Sequence, residues 1–352
     1  MLSRGVVSSL CVGFAETINK IGPALLEKCQ SFIHVYWRNR LIINCTDYAK
    51  LCSTAKEVLE QKAICQQDPD QDADEEAPED QAEYDSVLIS SAGDLVAAMA
   101  HALGADFSSE FDTFYPLIAK YYVRDMPLLN LIIAHDSLQK KNRSLSDRSS
   151  AIGCLAEIIS GMKGAITPST EPLLELLWRA VSDPDAEVQS NAAFATGLLV
   201  ENSEQDLSPQ YIALLGALQP LFNLPADAPA PRLNARDNAC GTVARLILRN
   251  AGAVPLAQVL PVLIGALPLQ NDMLENRPVF RAVLFLFQTQ PDVLSPYLDA
   301  LLRVFDHVLD PNKPDQVGDD VRAGLIGLIG ALNAQSPEKV QQAGLRPFVP
   351  GI

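Results

Sequence analysis

Residues 171–202, EPLLELLWRAVSDPDAEVQSNAAFATGLLVEN, decide the fold of this chain. In the first half, leucines and Val181 recur at helical spacing after Pro172, a residue suited to the first turn of a helix. Residues 182–185 (SDPD) then break the helix. The second half begins with acidic residues and continues with small and apolar ones, which allow another helix to approach closely. The segment therefore predicts two antiparallel helices joined by a tight turn.

The same pattern of paired helices recurs upstream and downstream of this segment. Small residues mark equivalent points in successive second helices, at intervals of roughly 41 to 47 residues, the period of HEAT-type repeats. They are Ala151, Ala192, Ala239, Ala282 and Ala323. Runs that alternate apolar and polar residues, typical of strands, are scarce. We therefore predict an all-α fold, a HEAT-repeat α-α superhelical solenoid that forms one continuous array.

Acidic residues are concentrated in one stretch of the chain. The 352 residues carry a net charge of −16, with 27 Lys and Arg against 43 Asp and Glu. Residues 68–85 hold ten acidic residues and no Lys or Arg, so the rest of the chain carries only −6. Such a self-repelling tract predicts a solvated loop. The sign of the charge argues against direct nucleic-acid binding and favours basic protein partners.

Three regions follow from these patterns. We predict residues 1–66 to be HEAT-type helices with a partial first repeat, residues 67–85 to be an acidic disordered loop, and residues 86–352 to be HEAT repeats. Residues 123–139 interrupt the repeats as an irregular insertion. Two explanations stay open for this insertion: a short retained intron translated in frame, or a lengthened loop that contains a short helix.

Motifs for catalysis and membrane insertion are lacking. The histidines His34, His101, His135 and His307 are remote from one another in sequence, and no phosphate-binding, zinc-protease or hydrolase motif occurs. The seven cysteines match no disulfide or zinc framework, which indicates a reducing compartment. Residues 250–271 form the longest uncharged stretch, but prolines interrupt it, so we predict no membrane insertion. We expect a protein that is not an enzyme and has no cofactor.

Residues 183–194 (DPDAEVQSNAAF) resemble an inner-helix repeat of the importin-β superfamily of nuclear transport receptors. With residues 56–67 (KEVLEQKAICQQ), the acidic run and residues 236–241 (RDNACG), they resemble the carboxy-terminal third of the importin-four subclass of karyopherins. The resemblance covers nearly the whole chain. It implies a carboxy-terminal HEAT-repeat fragment of a considerably longer receptor.

The resemblance also implies a function. Receptors of this subclass carry basic cargo, such as core histones and ribosomal proteins, through the nuclear pore, and their second helices line a concave surface. Nucleoporin repeats are then expected as partners, with shuttling between cytoplasm and nucleus. Ran-GTP is expected to act only through amino-terminal repeats that are absent here. The alternative is a structural HEAT-repeat scaffold subunit of a multiprotein complex.

The candidate cargo-binding residues are carboxylates and amides on second helices. A basic localisation signal needs carboxylates to attract its Lys and Arg side chains and asparagine amides to hold its backbone. The candidates are Asp147, Glu157, Asp185, Glu187, Asn191, Glu201, Asp237 and Asn238. Asn191 and Asn238 are expected to occupy the same repeat position. For Asp147, Asp185 and Glu187 a second interpretation is open, because acidic residues at a helix start also cap the helix and interact favourably with its dipole.

Overall fold

The described structure is built mainly from helices. The computed structural model describes residues 4–21, 45–67, 78–122, 144–225 and 227–349. No strand occurs among these residues, which confirms the predicted all-α class. The chain divides into two compact units. One comprises Met1–Ala180 with Asn202–Glu204, and the other comprises Val181–Glu201 with Gln205–Ile352.

The first unit contains two layers of helices. From the amino-terminal side the helices are α1 (Arg4–Ile21), α2 (Cys45–Leu59), α3 (Ile64–Gln67), α4 (Pro78–Leu103), α5 (Ser108–Ala119), α6 (Leu145–Met162) and α7 (Thr170–Val181). Helices α4 and α6 lie parallel, because two hydrogen bonds between them each join residues that are 61 positions apart in the sequence. The Ser86 hydroxyl donates to Asp147, and the Cys154 thiol donates to the Gly93 carbonyl.

Hydrogen bonds fix the neighbours of these two helices. Ser8 on α1 and Ser91 on α4 have their hydroxyl oxygens 2.8 Å apart, so α1 continues the layer of α4 and α6. In the other layer, the Tyr121 hydroxyl donates to the carbonyl of Leu59 at the end of α2, at 2.6 Å. The Tyr115 hydroxyl on α5 donates to the carbonyl of Pro172 on α7, at 3.1 Å. Buried tyrosines thus connect successive helices of the second layer.

The second unit repeats this arrangement. Its helices are α8 (Ala186–Asn202), α9 (Tyr211–Phe222), α10 (Ala230–Asn250), α11 (Leu256–Gly265), α12 (Asn276–Thr289), α13 (Pro291–Leu294), α14 (Leu298–Leu309), α15 (Asp319–Gln335) and α16 (Pro337–Gln342). The Thr242 hydroxyl on α10 donates to the Ala193 carbonyl on α8 at 2.6 Å. Phe280 on α12 packs edge-on against Phe305 on α14, with ring centroids 6.0 Å apart.

Between α10 and α12, the sequence interval that joins equivalent points differs from the one predicted. A Cβ atom on Gly241 would overlap the carboxylate of Glu275, so the start of α12 lies level with Gly241. Ala282 is seven residues further along, about 10 Å at the rise of a helix. Ala239 and Ala282 are therefore not at equivalent heights. The cause is the length of α10, whose first turns extend beyond α12.

The acidic tract is partly helical, contrary to the loop predicted for residues 67–85. Gln67 ends α3, and α4 begins at Pro78, so residues 78–85 form its first two turns. A proline at the first position and acidic residues in the first turns both favour a helix start, and they outweigh the self-repulsion of the tract. Residues 68–77 and the predicted insertion at 123–139 lie outside the described residues.

Within the described ranges, one apolar helical stretch, Glu83–Ala119, is long and apolar enough to cross a membrane. Its most apolar window is 61% buried inside the protein. Leu88, Leu95 and Met99 are fully buried, so the packing of the first unit accounts for the hydropathy of this stretch. Residues 250–271, the stretch singled out by sequence, instead contain a 3₁₀ turn and the short helix α11.

The close approach of α4 and α6 gives a stability prediction. A Cβ atom on Gly161 would lie 2.6 Å from the backbone nitrogen of His101, so Gly161→Ala must push the two helices apart. We expect it to lower the free energy of unfolding by about 1–3 kcal/mol, measured by urea titration.

Gly327→Ala is the matched control, because nothing lies within 4 Å of a Cβ atom at this helical position. It should leave stability unchanged or raise it by up to about 1 kcal/mol, as alanine is the better helix former. Equal stabilities of the two variants would contradict the described packing.

Candidate functional site

Asp147 and Glu157 lie on α6, on the side that faces α4. Asp147 accepts a hydrogen bond of 2.8 Å from the Ser86 hydroxyl, and its backbone N–H donates to the capping hydroxyl of Ser144 at 3.0 Å. Glu157 is exposed, and its Oε2 lies 3.0 Å from Nε2 of His101. Asp147 thus supports the contact between two helices, whereas Glu157 presents its charge to solvent.

Asp185 and Glu187 lie at the start of α8. The buried Asp183 accepts the backbone N–H of Asp185 at 3.0 Å, and the Asp185 carbonyl accepts the N–H of Gln189 at 3.0 Å. Asp185 is partly exposed and Glu187 is exposed in the first turn. A negative charge here stabilises the helix by about 0.3–1 kcal/mol and still faces solvent. The capping role and a binding role are therefore compatible.

Asn191 and Asn238 differ, although the sequence pattern makes them equivalent. Asn191 is partly exposed on α8, whereas Asn238 is only 4% exposed on α10. The amide nitrogens of Asn238 and Asn234 both donate to the Ser190 hydroxyl, at 2.9 and 2.8 Å. The Oδ1 atom of Asn238 is buried without a hydrogen-bond partner in the described structure. Asn238 therefore holds α10 against α8 and does not reach the surface.

Asp237 is fully buried and fixes a loop. Its Oδ2 atom accepts the backbone N–H groups of Gln270, Asn271 and Asp272, at 2.8, 2.7 and 3.1 Å. Its Oδ1 atom lies 3.5 Å from a guanidinium nitrogen of Arg236. Because the side chain is buried and bound to three backbone N–H groups, a cargo cation cannot reach this carboxylate. Asp237 therefore has a structural role, which is to hold the loop at residues 270–272.

Glu201 belongs to a buried ion network centred on Arg245. The Arg245 Nε–H donates to Glu201 Oε2 at 2.9 Å, and its two terminal nitrogens donate to the two carboxylate oxygens of Glu275. Arg245 and Glu275 are nearly inaccessible to solvent, whereas Glu201 is partly exposed. Burial alone would lower the pKa of Arg245, but the carboxylates of Glu275 and Glu201 raise it, so the guanidinium stays charged.

Two glycines leave space for this network, and one aromatic ring packs against it. Glu275 occupies the volume of a side chain at Gly241, and a Cβ atom on Gly197 would lie 3.1 Å from Cδ of Arg245. The guanidinium carbon also lies 5.8 Å from the centre of the Phe194 ring, within the range of cation–π attraction. The network joins α8, α10 and the turn before α12.

Sequence analysis did not single out Arg245 or Glu275. A signal existed in the chain: Arg245 is the charged residue in the otherwise apolar run 243–248 of α10, four residues after Gly241. That pattern indicates a buried charge with a glycine beside it, and a buried charge needs a partner. The partner itself lies thirty residues away and depends on the height at which α12 begins.

The described part of the chain holds no group of three or more His, Cys, Asp or Glu side chains that could bind a metal ion. Burial also raises the pKa of the Cys154 and Cys240 thiols well above the usual range, which keeps them protonated and poorly nucleophilic. The surface carboxylates of the second helices are suited instead to binding cations through charge-assisted hydrogen bonds.

Parallel second helices backed by a further helical layer define the class of protein, a HEAT-repeat helical array. No family model matches the chain. A solved structure of Kap95p with RanGDP has the same fold, with a TM-score of 0.51 and 13% identity, over 97% of this chain and 42% of that chain.

The relatives by sequence are importins. Probable importin subunit beta-4 of Schizosaccharomyces pombe is 36% identical over 293 residues, which are 81% of this chain and 25% of that protein. Importin-4 of Homo sapiens is 34% identical over 299 residues, 84% of this chain and 25% of that protein. The chain belongs to the importin-β family, as the resemblance implied, and spans about a quarter of the length of the curated relatives it matches.

The Arg245 network gives a second stability prediction. Arg245→Met removes the only guanidinium that pairs with Glu275 among the described residues, and it leaves a buried carboxylate without compensation. We expect a loss of about 3–5 kcal/mol in the free energy of unfolding, measured by chemical denaturation.

Arg277→Met provides the control, since Arg277 pairs with Asp320 at 3.1 Å where both side chains are more than half exposed. That surface pair should be worth no more than about 1 kcal/mol. A loss at Arg245 as small as that at Arg277 would show that the network contributes nothing special to stability.

Proposed function

We propose that this chain serves as the cargo-binding part of a nuclear import receptor and that its cargo is basic protein. Two findings support the proposal: the relatives are importins, and several carboxylates of the second helices remain at the surface. The observation that carries it is the exposure of Glu157, Glu187 and part of Glu201, while Asp237 and Glu275 are buried in structural roles.

Six of the eight predicted residues stay in the proposed cargo-binding set. They are Asp147, Glu157, Asp185, Glu187, Asn191 and Glu201. Asp237 and Asn238 leave the set, because both side chains are buried and their hydrogen bonds hold a loop and helix α8 in place. The members belong to different units, so each unit contributes its own contacts. A net charge of −16 would also raise the encounter rate with a cationic segment, in a salt-dependent way.

Core histones and ribosomal proteins are the proposed cargo, because their tails offer many Lys and Arg side chains. We also propose nucleoporin repeats as partners. Helix α9 supports this, since it contains no charged residue and exposes Ile212. The receptor would move between cytoplasm and nucleus. Contacts with Ran-GTP are proposed for other repeats of such a receptor.

A binding assay tests the cargo proposal. A fluorescent peptide with the sequence character of a basic histone tail should bind the chain, with an affinity that falls steeply as salt is added. Glu187→Lys should weaken binding about tenfold, because it replaces an attracting charge by a repelling one on the proposed surface. The measurement is fluorescence anisotropy across a salt titration.

Glu338→Lys is the matched control. Glu338 is likewise exposed in the first turn of a helix, and its reversal changes the net charge by the same amount. Equal weakening by the two variants would mean that only total charge matters, and the proposed surface would be wrong. The scaffold alternative predicts that the wild-type chain binds no basic peptide at low salt.

A further inference from the structure

Four exposed residues of α4 form a stripe along one side of the helix, and its two ends differ in character. Tyr84, Val87, Asp94 and His101 are exposed, while the residues of the opposite face are buried. At about 100° per residue these four positions fall within roughly a third of the helix circumference. Buried residues such as Ser91 separate the exposed ones, so the stripe consists of an apolar end and an acidic end on the same side of the helix.

The first end of the stripe is apolar. The side chains of Tyr84 and Val87 are 51% and 52% exposed, one turn apart, and neither is needed to fill the core. Two half-exposed apolar side chains on a rigid helix offer a place for one apolar side chain of a partner.

The second end of the stripe is acidic. Asp94 lies close enough to Glu157 on α6 for the two carboxylates to repel each other. Partial burial and this repulsion raise the pKa of Asp94 above its usual value. At the same end of the stripe, Nε2 of His101 lies 3.0 Å from Oε2 of Glu157. A cation brought by a partner would relieve the repulsion.

We propose that this stripe binds an extended basic segment whose apolar residue packs on Tyr84 and Val87 while its Lys or Arg side chains reach Asp94 and Glu157. Val87 and Asp94 are seven residues apart, about 10 Å along the helix, a distance spanned by about three residues of extended chain. The inference rests on the proposed function and refines it: the cargo segment carries an apolar residue about three residues from its basic pair.

Charge complementarity selects this occupant over another copy of the chain. A second copy would bring its own net charge of −16 against the acidic end. A purely basic segment would leave the apolar end uncovered. A segment with both features satisfies both ends at once.

Two synthetic peptides and four proteins test the inference by fluorescence anisotropy. The first peptide has one phenylalanine three residues from two adjacent arginines in a glycine–serine background, and the second has serine in place of phenylalanine. The proteins are the wild type, Val87→Ser, Asp94→Asn and the control Val262→Ser, whose valine has a similar exposure on α11. Circular dichroism checks that each variant is folded.

We expect the wild type and Val262→Ser to bind the phenylalanine peptide about fivefold more tightly than the serine peptide. Val87→Ser should abolish that difference, and Asp94→Asn should weaken both peptides and flatten the salt dependence. An unchanged preference in Val87→Ser, or the same loss in Val262→Ser, overturns the inference and leaves the proposed function standing. Failure of the wild type to bind either peptide at low salt overturns the proposed function itself.

Discussion

The guanidinium of Arg245 is buried between the carboxylates of Glu201 and Glu275, and the packing of the second unit depends on this interaction. It links helix α8, helix α10 and the turn before α12, because only a long cationic side chain reaches both neighbours from α10. Gly241 supplies the space that Glu275 fills. Charge and shape therefore specify the same arrangement. An apolar residue at position 245 would leave the buried carboxylate of Glu275 without a partner, and a larger residue at position 241 would displace that carboxylate.

This interaction also separates the acidic residues into two groups. Glu275 and Asp237 are buried, the first against a guanidinium and the second against three backbone N–H groups. Glu157 and Glu187 remain at the surface of second helices. The buried members position the helices, and the surface members are left for a basic ligand. Net charge alone could not distinguish these groups, because it counts them equally.

The fold class could be predicted from the sequence because helical spacing is a local signal and the paired-helix pattern recurs along the chain. The roles of Asp237 and Asn238 could not, since they depend on a loop and a helix that reach these residues from distant parts of the chain. The position of α12 beside Gly241 could not be predicted either, because it also depends on contacts between distant parts of the chain. At residues 78–85, helix-start chemistry outweighed the repulsion between like charges, and the predicted loop was too long.

The central claim is that buried carboxylates hold the array while surface carboxylates meet a basic ligand. Carbodiimide footprinting of carboxylates, read by mass spectrometry with and without a basic histone-tail peptide, tests it most directly. We expect Asp237 and Glu275 to stay unlabelled in both states, and Glu157 and Glu187 to be labelled in the free chain and protected by the peptide. Labelling of Asp237 and Glu275 in the folded chain, or equal labelling of Glu157 and Glu187 with and without peptide, would contradict the claim.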